Sequence, residues 1–187
     1  MPTQSRRERA REERRDLILR TARELAESEG WDAVTTRRLA EAVDYSQPVL
    51  YGHFKNMNAI ADAVAVQGIE ELTAVLRAAR ETGGLRRLAH AYLDYAADHP
   101  AAYEAMFVRP TELTFGTPDS PAPLKSAFDE FLAAVAPIAG DDPETLAEVL
   151  WSALHGQATL NHGSRLRPTH HEARADALVT AFEALRP

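Results

Sequence analysis

The chain has no cysteine and only two lysines among its 187 residues. Without cysteine there is no disulfide framework, no Fe–S cluster and no Cys-ligated zinc. No apolar run approaches the roughly 18 residues that a membrane span needs, which excludes an integral helical membrane protein and argues against a membrane partner. The Arg-rich start is not followed by an apolar stretch, so no signal peptide is indicated and a cytoplasmic location is the expectation. Nucleophile elbow, P-loop, dinucleotide loop and HExxH motif are all missing. His155, His162, His170 and His171 invite a metal reading. However, His170 and His171 are neighbours that point apart at a helix start, and no carboxylate stands at metal-motif spacing. No enzymatic activity, no cofactor and no metal are expected.

What is present is alanine, 34 residues of it, together with 19 arginines and 45% hydrophobic residues overall. Alanine is the best helix former, so the composition points to an all-α fold. The net charge of −7 is unevenly spread. Residues 1–55 carry 11 basic and 10 acidic side chains, and the remainder carries 10 and 18. Residues 1–15 alone hold six arginines and three glutamates. Such an arm is either a phosphate-binding footprint or a solvated, disordered tail, and charge alone does not separate the two.

Hydrophobic spacing and caps divide the chain into about nine helices, with no convincing strand and no internal repeat. Ile18, Ala22, Leu25 and Ala26 form one stripe of a helix over 16–29, and Gly30 suits its C-terminal cap. Thr35 is an N-cap for a helix over 36–43. Asp44-Tyr45 makes a tight connection, and Ser46 caps a short third helix over 47–52 with Pro48 in its first turn. Two short helices at this spacing fit a helix-turn-helix, and equally a plain helical hairpin in a bundle. A long helix over 57–80 then ends at Gly83-Gly84, with another over 85–98 and a short one from Pro100 to Phe107. Residues 108–123, rich in Pro, Gly, Ser and Thr, read as a loop. Helices follow over 124–139, with Pro137 near the end, and from Asp142-Pro143-Glu144 to about residue 160. Thr169 and Glu172 have the spacing of a capping box, opening a last helix that runs to Leu185. A boundary near residue 56 separates 1–56, an arm plus three-helix head, from a larger helical body over 57–187. The fourth helix is expected to link them rigidly.

Specific residues carry more than the pattern. Leu39-Ala40-Glu41-Ala42, Tyr45-Ser46 and Leu50-Tyr51-Gly52-His53-Phe54-Lys55-Asn56 resemble the DNA-binding signature of the tetracycline-repressor (TetR) family. Ile18, Ala22, Leu25, Glu29-Gly30-Trp31 and Val34-Thr35 are similar to that family's first-helix segment at the same distances. The resemblance covers roughly residues 15–60. Asp98-His99-Pro100, Tyr103 and Met106-Phe107, with Leu150-Trp151 and Leu154-His155-Gly156, look more loosely like the C-terminal domain of the branch called the WHG type. The resemblance implies a homodimeric repressor that places its third helix in the major groove of a double-stranded, (pseudo)palindromic DNA operator. A small molecule bound in the C-terminal body would release it. Three positions depart from the family: Asp44 stands where Gly is usual, Pro48 where a small residue is usual, and Met57 where a phosphate-binding Lys is usual.

Candidate DNA-binding residues are Thr36, Arg37, Ser46, Gln47, Val49, Tyr51, His53 and Lys55. The resemblance makes Tyr51 and His53 backbone contacts, and both can donate to phosphate oxygens. Gln47 can bind adenine with two hydrogen bonds and Arg37 can reach guanine. Arg37 and Arg38 also fit a merely solvated face. The candidate ligand-binding residues are Tyr92, Tyr95, Tyr103, Phe107, Phe128, Phe131, Trp151 and His155, with Met106 nearby. They offer the apolar walls and few polar handles that a cavity for an apolar or aromatic effector needs. Ordinary core packing is the alternative for each. Leu146, Val149, Leu150, Leu154 and Leu160 on one late helix, and Leu178, Val179, Phe182 and Leu185 on the other, make more apolar surface than one chain covers, which points to pairing with a second copy. Gly156 in mid-helix suggests close approach at that contact. Two rival readings stay open: a helical small-molecule-binding protein with a degenerate, non-DNA-binding head, and an activator or architectural binder using the same head.

Overall fold

The computed structural model describes residues 6–185. Among them the chain is all-α, with eight α-helices and two single 3-10 turns. The helices are α1 (Arg6–Glu29), α2 (Thr36–Ala42), α3 (Gln47–His53), α4 (Met57–Asp98), α5 (Pro100–Phe107), α6 (Ala122–Val135), α7 (Pro143–His162) and α8 (His171–Glu183). The 3-10 turns are Trp31–Ala33 and Pro168–His170. The expected ninth helix is the second part of α4. Gly83 and Gly84 leave helical geometry inside it, and Gly84, at φ 59° and ψ −147°, occupies a region essentially restricted to glycine. No helix among the described residues is long and apolar enough to cross a membrane.

Two compact units result, and neither is a simple stretch of chain. The first runs up to Gly68 and takes in Ala101–Glu112; the second is Ile69–Pro100 with the chain from Leu113 onward. In the first unit α1 supplies the buried stripe Ile18, Leu19, Ala22 and Ala26. Against it lie Trp31, Val34, Leu39, Val43, Leu50 and Phe54, all buried. The seven-residue helices α2 and α3 are too short to persist alone, so this burial holds them. Capping sharpens the boundaries. Thr35 Oγ1 accepts from the Arg38 amide at 3.3 Å, and Asn56 Oδ1 accepts from the Ala59 amide at 2.8 Å.

Polar contacts bind α5 into the same unit. The Glu27 carboxylate accepts from the Ala101 and Ala102 amides at 3.0 and 3.2 Å, where the first turn of α5 has no intrahelical acceptor. The Trp31 indole N–H donates to the Ala101 carbonyl at 2.8 Å. Beyond α5, Thr111 donates to Asp62 at 2.5 Å, and the Arg109 guanidinium lies 5.2 Å from the centre of the Trp31 ring.

The second unit packs Leu72, Leu76, Leu85, Leu88 and Tyr92 of α4 with Phe131 and Val135 of α6, Leu150 and Leu154 of α7, and Val179 and Phe182 of α8 as buried residues. Glu130 is buried among them as a carboxylate, 4% exposed. Arg77 and Arg80 donate to its two oxygens at 2.7 and 2.8 Å. Burial pushes this carboxyl up, but the hydrogen bonds and charges of the two arginines outweigh that and hold it below the usual carboxylate value. On α8, Asp176 takes a hydrogen bond from His90 at 2.9 Å and pairs with Arg86.

Four expectations change. The helix expected from residue 16 begins at Arg6, so the disordered-tail reading fails for residues 6–15; residues before Arg6 lie outside the described chain. The capping box does not form. Thr169 sits in the 3-10 turn, its hydroxyl 3.0 Å from His170 Nδ1, and α8 starts at His171 without a side-chain cap. Pro168 opens that turn and diverts the backbone before Thr169 can cap. Leu150, Leu154, Val179 and Phe182 are all buried within the chain, so they are core and not pairing surface. What α7 and α8 leave exposed is Val149, Leu160 and Leu185, together with the alanines 173, 177, 181 and 184. Finally, the last helix stops at Glu183.

Glu130→Gln is expected to lower stability by about 1–3 kcal/mol at neutral pH, because it removes the charge that two arginines were placed to meet. The folded pKa lies below the unfolded one. The native contribution is therefore present above about pH 4.3 and disappears as pH falls through the folded value. Urea unfolding of both proteins from neutral to acid pH checks this: the difference should shrink only on the acid side.

Candidate nucleic-acid interface

α2 and α3 are joined by a tight turn that closes through one left-handed residue. Asp44 stands at φ 54°, in the left-handed region, and the Tyr45 amide returns to the Ala40 carbonyl at 3.0 Å. Among residues with a Cβ, Asp and Asn enter that region at least cost, which explains how Asp44 closes a turn suited to glycine. Ser46 has the extended backbone of an N-cap, but its side chain makes no capping bond; Pro48 follows in the first turn of α3. Leu50 is buried and fixes which face α3 turns inward.

The opposite face of α3 is open. Ser46, Gln47, Val49 and Tyr51 are exposed, Tyr51 by 52%. The Tyr51 hydroxyl and Thr36 Oγ1 lie 3.1 Å apart, tying the end of α3 to the start of α2. Arg37 is bonded to Glu41 at 2.9 Å with both side chains largely exposed, a solvent-screened pair that a stronger partner can displace. Arg38 differs: it binds both oxygens of Glu29 at 2.9 and 2.6 Å, linking α2 to the end of α1. Arg37, Ala40, Glu41, Asp44, Tyr45, Ser46 and Gln47 line an open groove of about 530 Å³ beside α3.

Lys55 is exposed just after α3. His53 is half-buried, and its buried Nδ1 has no hydrogen-bond partner among the described residues. Burial, then the charges of Arg11, Arg14 and Arg15, hold its pKa below the ordinary histidine value. Both effects favour the neutral imidazole over the charged one. All eight candidate DNA-binding residues thus fall on α2, on α3 and on the residues flanking α3. The arginines of α1 are a further set, present in the sequence as an i, i+3, i+4 spacing but interpretable only once α1 is known to extend through them.

The aromatic candidates fall in both units. Tyr103 and Phe107 belong to the first unit, with their rings edge to face at 5.1 Å. In the second unit Tyr92 is fully buried, 5.7 Å from Phe131 in edge-to-face contact, and the Trp151 indole N–H donates to its hydroxyl at 3.1 Å. Tyr95 packs on His99 at 4.7 Å and donates to Glu71 at 3.2 Å. Phe128 and His155 are half-buried, and burial lowers the His155 pKa. Met106 is buried in the first unit.

A three-helix unit with a tight turn between its second and third helices, the third exposing one polar face, is a helix-turn-helix. Comparison with known proteins agrees. Residues 18–64 match the bacterial regulatory proteins of the tetR family, and residues 85–182 match the tetracyclin repressor-like C-terminal domain. The chain belongs to the TetR family of transcriptional regulators. An uncharacterized HTH-type transcriptional regulator of Mycobacterium tuberculosis, Rv0681, is 30% identical over 150 residues, 76% of this chain and 67% of that protein. The class C tetracycline repressor of Escherichia coli is 51% identical over 51 residues. That match spans 27% of this chain and only 23% of the repressor's length. The structure of a protein of unknown function from Rhodococcus sp. RHA1 superposes with a TM-score of 0.74 at 25% identity, over 93% of this chain and 95% of that one.

Asp44→Gly is expected to raise stability by about 0.5–1 kcal/mol, since relief of the left-handed backbone exceeds the added entropy of the unfolded chain. Asp44→Val should lower it by about 1–2 kcal/mol. Urea midpoints of the three proteins check both signs.

Proposed function

We propose that the chain is a repressor that binds a (pseudo)palindromic operator as a homodimer and is released by a small molecule. Residues 1–56 form the DNA-binding part and 57–187 the ligand-binding and dimerising part. The observation that carries the DNA reading is the exposed face of α3, where Gln47 and Val49 stand clear of the core and Tyr51 is steadied by Thr36. Gln47 has the donor and acceptor pair that adenine presents in the major groove, and Arg37 can exchange Glu41 for guanine. Tyr51, His53 and Lys55 hold the backbone, contacts that position without reading sequence.

For the effector, the Tyr92, Phe131 and Trp151 cluster, with Tyr95, Phe128 and His155, supports an apolar or aromatic small molecule. Tyr103 and Phe107, packed on each other in the first unit, belong to the same proposed set. The ligand must bind the DNA-incompetent arrangement more tightly than the competent one, since equal affinity shifts nothing.

The pairing surface is the small-residue face that α7 and α8 leave open. Val149, Ser152, Gly156 and Leu160 share one face of α7, and Ala173, Ala177 and Ala181 share one face of α8, with Ala184 at its C-cap. A Cβ placed on Gly156 would meet nothing within 4 Å in its own chain, so glycine there is not demanded by the protomer. An outside helix approaching closely gives it a reason.

The test is a binding assay on the DNA upstream of the chain's own gene. Gln47→Ala should relax preference at one base position by about 1–3 kcal/mol, whereas Tyr51→Ala weakens all sequences alike. Unchanged selectivity of Gln47→Ala over a randomised site library would remove the base-reading role. For assembly, Leu160→Glu or Ala177→Glu should give a folded monomer that no longer binds operator. A clean monomer for the unmodified protein by light scattering at micromolar concentration would overturn the dimeric repressor.

A further inference from the structure

The charge on α7 is split between its two ends. Asp141, Asp142, Glu144 and Glu148 stand at its start, and no Lys or Arg occurs from residue 126 to residue 164. Arg165 and Arg167 follow its end, and no Asp or Glu occurs from residue 149 to residue 171. All six of these charged residues are exposed. Among the described residues, Asp141, Glu144, Glu148, Arg165 and Arg167 form no salt bridge.

The backbone holds both sets against the helix. Asp142 Oδ1 accepts from the Thr145 amide at 3.1 Å and fixes the start. At the far end Ser164 takes φ 53°, in the left-handed region, and the Arg165 amide donates to the Leu160 carbonyl at 2.9 Å. This reversal lays Arg165 over Gly163, where an added Cβ would stand 3.8 Å from Arg165 Cγ and Nε. Arg165 is thus kept beside the last turn of α7. A helix dipole favours acids at the start and bases at the end, but only within the first and last turns. That accounts for Asp142 and Glu144. It does not account for Glu148, in the second turn, or for Arg167, past the end. Between the charged ends runs a face of small and apolar residues. Thr145, Val149, Ser152 and Leu160 are exposed and Gly156 is half-buried, all at three- and four-residue steps.

We propose that two copies pair through α7 in antiparallel order, the acidic end of each helix against the arginine end of the other, so that charge sets the orientation and register of the dimer. The proposal rests on the dimeric reading above and specifies how one copy recognises another. A second copy suits this face because the face carries its own complement. A two-fold contact repeats every pair twice, and antiparallel order makes each repeat an attraction. Parallel order would crowd carboxylates at one end and guanidinium groups at the other. A two-fold axis midway along the 20 residues of α7 passes between Ser152 and Ala153. Val149 of one copy then meets Gly156 of the other, and Thr145 meets Leu160. The bulkier valine fills the place that glycine leaves open. Arg165 falls beside Asp141 and Glu144.

Sedimentation equilibrium of the full chain over a dilution series, at low and high salt, tests the pairing, with circular dichroism to show that each variant is folded. Asp142 is left in place because it caps α7. The unmodified dimer should weaken as salt rises. Asp141→Asn/Glu144→Gln should raise the dissociation constant by about tenfold at low salt and flatten that salt dependence. Asp141→Arg/Glu144→Arg should raise it by about a hundredfold, and Arg165→Glu/Arg167→Glu should do the same. An equimolar mixture of these two reversed chains should recover dimer, and so should one chain carrying all four reversals. Unchanged pairing in both reversed chains overturns the proposal and leaves the dimer standing. So does a dimer strengthened by Asp141→Asn/Glu144→Gln, the result that parallel order requires, or weakening without recovery in the mixture and the combined chain. A monomer for the unmodified protein at every concentration and salt overturns the dimeric reading together with the charge pairing.

Discussion

The buried stripe of α1 is the constraint on which the first unit depends. Ile18, Leu19 and Ala22 are fully enclosed, and Ala26 nearly so. The two helices that present candidate DNA contacts are seven residues each, below the length at which a helix persists in water. Their orientation is therefore set by how Leu39, Val43, Leu50 and Phe54 dock on that stripe. Exposure of Gln47, Val49 and Tyr51 follows as the other side of the same packing. The reading face is thus a product of the core beneath it.

Ion pairs divide into those that hold and those that are free to exchange. Arg38 spans two helices with both oxygens of Glu29, and Glu130 is buried between two arginines. These fix geometry. The Arg37–Glu41 pair lies on the surface of one helix and costs little to open. Adjacent arginines, indistinguishable by composition, take opposite roles because one has a partner on another element and the other does not.

Features governed by neighbouring residues were legible in the sequence. The Thr35 cap, the Asp142 cap on the Thr145 amide, the left-handed turn at Asp44 and the break at Gly83-Gly84 all depend on a few consecutive residues. So did the helix-turn-helix, whose motif residues lie within one short segment. Features set by distant parts of the chain were not. Nothing in the periodicity of α8 distinguishes Phe182, which is buried, from Leu185, which is exposed. The burial of Glu130 depends on arginines some 50 residues earlier. Thr169 had the spacing of a cap, but Pro168 imposed a different local path. The order of residues 6–15 escaped because a polar arginine-rich segment reads alike whether helical or not.

The attachment of α5 has a consequence for how the chain acquires its structure. Glu27 and Trp31 complete their hydrogen bonds with residues 70 to 75 positions later. During synthesis the leading helices emerge with the indole N–H and the carboxylate still facing water. The first unit can close only after Ala101, Thr111 and Glu112 have left the ribosome, by which point the intervening part of the second unit has already been made. Its completion is therefore a long-range event, slow in the way that contacts of high sequence separation are slow. A nascent chain stalled before α5 would carry the whole helix-turn-helix motif and still lack the contacts that finish its unit.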